Sequence, residues 1–200
     1  MGCLKIFTRA IILTLLILGT LAFTQQSLIK EKINDFLHPT KETVMENAKK
    51  VGDFSKIDKE FEVEKAVGVL GYNAVLAEHK SSGQKMVVVD SGKKVIITQE
   101  DIKAKDAEDR IKNAIAKIKY QNVALEEFHV IEKGTMNAYG QKDVPYVKFV
   151  AKIKKLPIGE ISGVISVVKD KNGNDKILVS ANSKEKYSQL ISNEFFKSVK

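Results

Sequence analysis

Only three histidines are available for acid–base work or metal binding in this 200-residue chain, and two of them stand near carboxylates. Glu78-His79 with Asp90 forms one group, and Glu126-Glu127 with His129 forms the other. A histidine beside a carboxylate can act as a general base or as a metal ligand. On a strand, Glu127 and His129 would share one face and Glu126 would point to the other. Half-exposed strand histidines are the plainer account of both, so no catalytic and no metal-binding residue is assigned. The single cysteine, Cys3, rules out a disulfide framework and a cysteine-built zinc site.

Motifs with catalytic mechanics are missing. The chain has no phosphate-binding loop, no G-x-G-x-x-G after a strand, no nucleophile elbow, no H-E-x-x-H and no EF-hand loop. Residues 169–175, Lys-Asp-Lys-Asn-Gly-Asn-Asp, look superficially like a calcium loop but lack its spaced ligands and closing glutamate, and read as a hairpin turn. No cofactor is expected.

The other chemical signal is cationic. Lys148, Lys152 and Lys154 share a strand face with Lys155 adjacent, and Lys112, Lys117 and Lys119 crowd one end of an amphipathic helix. Such faces can meet anionic lipid headgroups, anionic polymers or nucleic acid. Phe149 falls on the opposite, core-facing side of the strand, so the aromatic interleaving that stacks bases is missing and nucleic acid is not expected. Two connections add candidates, because loops carry binding more often than cores do. Residues 133–140, with Tyr139, precede Val144-Pro145-Tyr146, and residues 154–160 join two later strands. The candidate binding residues are therefore Lys148, Lys152, Lys154, Lys155, Tyr139 and Tyr146. A solvated lysine-rich face, a wide hairpin and a proline-broken turn are the plainer accounts of the same features.

The elements that must position these residues begin with an apolar N-terminus. Lys5 and Arg9 precede an apolar run from Ala10 to Phe23, and no charge follows until Lys30, leaving residues 10–29 uncharged, 20 in a row. A cationic stretch before an apolar one is the pattern of an export signal, and its length also suffices to cross a membrane. A single-pass anchor is expected, N-terminus in the cytoplasm and body outside it, because the positive charges precede the segment. The alternative is secretion after cleavage near Ala22. Residues 1–27 are thus signal peptide or transmembrane anchor, 28–55 a helical stalk or linker, and 56–200 one domain. The first 30 residues hold three basic residues and no acidic one, leaving 30 against 25 and a net of +5 for the rest. That balance is too mild for a dedicated nucleic-acid binder.

In the stalk, Thr40 opens a helix carrying Val44, Met45, Ala48 and Val51 at helical spacing, and Gly52 ends it. Capping-box spacing at 55–58 precedes a second helical run with Ile57, Phe61, Ala66, Val67 and Leu70. Three short β-branched runs follow at 73–79, 85–90 and 93–98, then a helix over 103–120. Strands are expected at 123–133, 144–154, 161–169 and 175–180, the last two joined across Asn172-Gly173. A helix over 184–199 closes the chain, with Tyr187, Leu190, Ile191, Phe195 and Val199 inward. The result is an α+β domain with an antiparallel or mixed sheet of about seven strands and helices packed on it.

The element order over residues 71–200 is similar to that of PsbP-like domains. The resemblance implies an accessory module attached to a membrane or exported, and it carries no site residue across. The expected function is therefore a membrane-anchored or exported binding module of the cell envelope, with an envelope protein or anionic polymer as partner. The alternatives are a small envelope hydrolase using a histidine–acid pair and an electrostatic binder of anionic lipid or polymer.

Overall fold

The computed structural model describes residues 40–69, 72–92, 95–116, 125–153 and 159–200. The expected membrane segment at 10–29, the stalk up to residue 39, and Lys154 and Lys155 lie outside the described residues. Among the described residues, no helix is long and apolar enough to cross a membrane.

Seven strands form one antiparallel sheet: β1 (Phe61–Val69), β2 (Tyr72–His79), β3 (Lys85–Asp90), β4 (Leu125–Ala138), β5 (Gln141–Ile153), β6 (Glu160–Lys169) and β7 (Asp175–Ser183). Their order is β1-β2-β3-β7-β6-β5-β4. Two meanders, β1–β3 and β4–β7, are thus joined where β3 pairs antiparallel with β7. The described helices are α1 (Lys41–Val51), α2 (Gln99–Lys103), α3 (Ala107–Ala116) and α4 (Gln189–Ser198). The α+β class is as expected, but the first three strands are not the expected three: β1 stands where a helical run was expected, and the run at 93–98 supplies no described strand.

Both sheet faces are covered, so β3 and β6 are buried continuously between their ends rather than on alternate residues. On one face Val44, Ala48 and Val51 of α1 and Phe195 and Phe196 of α4 pack against Val75, Val88, Val164 and Leu178. On the other, Ile102 of α2 and Ala107 and Ile111 of α3 pack with Phe128, Phe149, Ile165 and Val167. Each large side chain buried this way contributes about 1.5–3 kcal/mol relative to exposure. A buried amide fixes α4 on the sheet. Gln84 Nε2 shares its two hydrogens among Ser180 Oγ (2.9 Å), Ser188 O (2.9 Å) and Ser192 Oγ (3.0 Å), and its Oε1 accepts the Ser188 N–H at 2.8 Å.

Several expected elements change character. Of the expected helical run at 57–70, residues 57–60 are turn, Leu70 lies outside the described residues, and Phe61–Val69 is strand β1. A bulge between Val63 and Lys65 shifts its alternation, so Phe61, Val63 and Ala66 all face the α1 side while Val67 faces the other. The run ending at Thr98 is not a strand over 95–98: Ile97 buries itself unpaired, and Thr98 caps α2 in a reciprocal box with Asp101. The expected 103–120 helix is broken between α2 and α3 at residues 104–106, and 117–120 lie outside the described residues. The expected loop at 133–140 is mostly β4, closed by a two-residue turn with positive φ at Tyr139 (53°) and Gly140 (70°). The last helix begins after Ser188, and Leu190, expected inward, is 73% exposed.

The stalk assignment also changes for its described part. Thr40 Oγ1 accepts the Thr43 N–H to start α1, and Val44, Ala48, Val51 and Phe54 are buried in the domain core. Residues 40–55 are built into the domain.

Candidate binding cavity

The expected lysine stripe on β5 meets acids on β4 at every described position. Lys148 Nζ lies 3.7 Å from Glu132, its strand partner, and 5.9 Å from the Tyr187 ring centre; Lys152 lies 3.5 Å from Glu126. The Tyr146 hydroxyl donates to Glu132 Oε1 at 2.8 Å, and burial followed by that carboxylate raises the phenol pKa. Its ring covers Gly134, where a Cβ would come within 2.7 Å. Lys148, Lys152 and Tyr146 therefore form a cross-strand ladder with its charges paired. Each exposed pair of this kind contributes about 0–1 kcal/mol.

The histidines do not assemble an acid–base site. Asp90 pairs with Asn73 at the end of the β2–β3 ladder opposite His79. Glu78 is committed to Lys85 (2.6 Å), which Glu64 also holds at 2.9 Å. His79 Nδ1 instead meets Ser82 Oγ at 2.9 Å, with its ring against Phe61. His129 is an exposed edge-strand residue whose Nδ1 lies 3.6 Å from Glu108. That carboxylate already accepts from Lys112 (2.6 Å) and the Val130 N–H (2.8 Å), which hold its pKa below the usual range. Among the described residues, no group of His, Cys, Asp and Glu could hold a metal ion.

Side chains do converge at the other end of the sheet, under the C-terminus of α1. Lys176 on β7 is buried there. Its Nζ donates to Val51 O at 2.8 Å, closing a carbonyl that the helix end would leave open, and lies 3.0 Å from Asp90 Oδ2. Tyr139 arrives from the β4–β5 turn. Its N–H donates to Phe196 O (3.0 Å), its hydroxyl reaches Val51 O at 3.4 Å, and its ring centre is 6.0 Å from Lys176 Nζ. Burial, then the Asp90 charge, drives its pKa far above the usual tyrosine range. Gly52 follows α1 in extended backbone, and a Cβ there would meet Tyr139 Oη at 2.7 Å and Lys200 O at 3.1 Å. Beyond it the chain is zipped to the terminal residue: Asp53 N–H donates to Lys200 O at 2.5 Å, and Lys200 N–H to Asp53 O at 3.1 Å.

These segments line a solvent-open cavity of about 690 Å³. Its lining holds six lysines, Lys49, Lys50, Lys169, Lys171, Lys176 and Lys200, against two acids, Asp53 and Asp170. Met45, Phe54 and Tyr139 supply an apolar wall. Lys176 and Lys169 are offset by Asp90 and Asp175, which lie outside the lining, and Lys200 sits in the field of Asp53. Asp170 spends its oxygens on the turn, accepting the Asn172 N–H (2.8 Å) and the Asn174 N–H (2.9 Å). Burial raises its pKa, but these bonds and Lys176 outweigh it and hold the carboxyl below its ordinary 3.8. Lys49, Lys50 and Lys171 then have no carboxylate partner among the described residues, so the cavity is cationic.

Of the sequence candidates among the described residues, Tyr139 alone lines this cavity. The signals that could have located it are a lysine inside the apolar run of β7, the doublet Lys49-Lys50 at a helix end, and two lysines flanking the hairpin turn. No protein-family model matches the chain, and no curated protein is similar to it in sequence.

Proposed function

We propose that this protein is a non-enzymatic binding module of the cell envelope, attached to the membrane through residues 10–29 or secreted after cleavage near Ala22, and that the lysine-rimmed cavity is its binding site. The observation that carries the reading is the cavity itself: uncompensated lysines over an apolar wall, held by buried bonds, and remote from either candidate histidine site. Such a site suits an anionic partner. The order of elements similar to that of PsbP-like domains, and the apolar N-terminus, support the placement outside the cytoplasm.

Cell fractionation of the full chain with a C-terminal tag tests the placement. Full mass in the membrane fraction with the tag open to external protease is expected, or a secreted product cut near Ala22; a tag protected from protease contradicts it. Thermal-shift screening with anionic, neutral and cationic small molecules tests the site. Anions are expected to stabilise the wild type and lose that effect in Lys49→Gln/Lys171→Gln; stabilisation equal in both proteins contradicts it.

A further inference from the structure

We infer that the cavity takes a phosphate-bearing amphiphile, its phosphate held between the last turn of α1 and the β6–β7 turn, its apolar body lying on Met45, Phe54 and Tyr139. This rests on the binding-module reading above and names its ligand class.

Charge sets the head group. Lys49 and Lys50 come from α1 and Lys171 from the hairpin, all without a carboxylate partner among the described residues; Lys50 Nζ donates to the neutral Asn47 Oδ1 at 3.0 Å and keeps its charge uncompensated. A singly charged anion leaves this group overcharged, whereas a phosphate monoester or diphosphate matches it. The lining contains lysine and no arginine. Ammonium groups act as point charges that can surround a phosphate from several directions. The helix C-terminus, ordinarily hostile to anions, has its last carbonyl occupied by Lys176.

Size and surface set the body. The volume of about 690 Å³ falls within the range of small-molecule sites, roughly 300–1,000 Å³, and greatly exceeds one phosphate ion. Met45 is 47% exposed on the wall that also carries Lys49, so an inorganic anion would leave apolar surface in water that an alkyl or aryl body covers. The walls are fixed in advance. Asp170 holds the turn that displays Lys171, Gln141 Nε2 donates to Lys169 O at 2.5 Å, and the Asp53–Lys200 backbone pair closes the far side. Little ordering is left for the ligand to impose.

The test is calorimetric titration of the full chain, in non-ionic detergent, with a soluble alkyl phosphate monoester, the matching alkyl alcohol and inorganic pyrophosphate. The alkyl phosphate should bind at least about tenfold tighter than either comparator. Lys49→Gln/Lys171→Gln should weaken it by about tenfold or more with Tm unchanged, and Lys148→Gln/Lys152→Gln should leave the affinity unchanged. Equal affinity for the alcohol, or no loss in the cavity variant, overturns the inference. Flotation with phosphatidylcholine vesicles, with and without phosphatidic acid, separates the sources. A gain on phosphatidic acid that Lys49→Gln/Lys171→Gln abolishes assigns the phosphate to a lipid headgroup; alkyl phosphate binding without that gain assigns it to a soluble ester. If the alkyl phosphate fails while other anions still stabilise through Lys49 and Lys171, the ligand class falls and the binding-module reading stands. If no anion does so, both fall.

Discussion

The lysines of β5 and the lysines around the cavity come from similarly basic stretches of sequence, but they face different neighbours. On β5 Lys148 meets Glu132, its partner across the antiparallel ladder, and Lys152 meets Glu126, the neighbour of its partner Glu127. At the cavity the acids are spent elsewhere: Asp90 and Asp175 on Lys176 and Lys169, Asp170 on its own turn. Equal local basicity therefore yields a neutral ladder in one place and a cationic hollow in the other. A lysine run acquires meaning only once the segments across from it are known.

The depth of the charges is the sharpest way to break this comparison. Lys176 and Asp90 side chains are 7% and 14% exposed. Lys176→Met leaves the Asp90 charge without its cation, with only the Gly92 N–H on Oδ1, and removes the shorter of two bonds to the Val51 carbonyl, with an expected loss of about 3 kcal/mol in urea unfolding. Adding Asp90→Asn should recover part of it. An equal loss from Lys148→Met would erase the distinction between the two regions.

Next in size, Gly52→Ala drives a methyl group against Tyr139 Oη and the Lys200 carbonyl. It should cost about 1–3 kcal/mol, read as a lower midpoint, and loosen the cavity wall together with the helix end.

Much of the sheet was legible because β-branched runs between turn residues carry their own signal: β2, β3, β6 and β7 and the Asn172-Gly173 turn lie where the sequence predicts them. Strand β1 was not, because Phe61, Ala66 and Val67, read as one helical stripe, lie on both faces of a strand whose alternation is shifted by a bulge. The β4–β5 turn was tighter than expected because Tyr139 accepts a positive φ, which its residue type disfavours, in exchange for a buried position beside Val51 and Lys176. The cavity was illegible for another reason. Its walls come from residues 45–55, 139–141, 169–176 and 200, which only the β7–β6–β5 pairing and the docking of α1 and α4 bring together.

Acid sharpens the comparison further. The Asp170 carboxyl is held below its ordinary 3.8 in the folded state, so it contributes stability that is present above 3.8 and lost as pH falls through the folded value. Asp170→Asn should flatten stability against pH below about 4, measured by urea midpoints across an acid series. A slope identical to wild type would mean that the turn carboxylate is not held as described.

The smallest effect is expected on the ladder. Lys148→Met and Lys152→Met should each change stability by no more than about 1 kcal/mol, since both pairs are partly exposed. Calorimetric unfolding would register a larger change, and with it a structural importance that the geometry does not assign.

The most direct measurement is an amide chemical-shift map of the full chain titrated with a soluble alkyl phosphate. The account predicts saturable shifts centred on Lys49 to Phe54, Tyr139 and Asp170 to Asn172. Shifts centred on Glu126 to Glu132 and Lys148 to Lys152, or scattered over the surface, would contradict it.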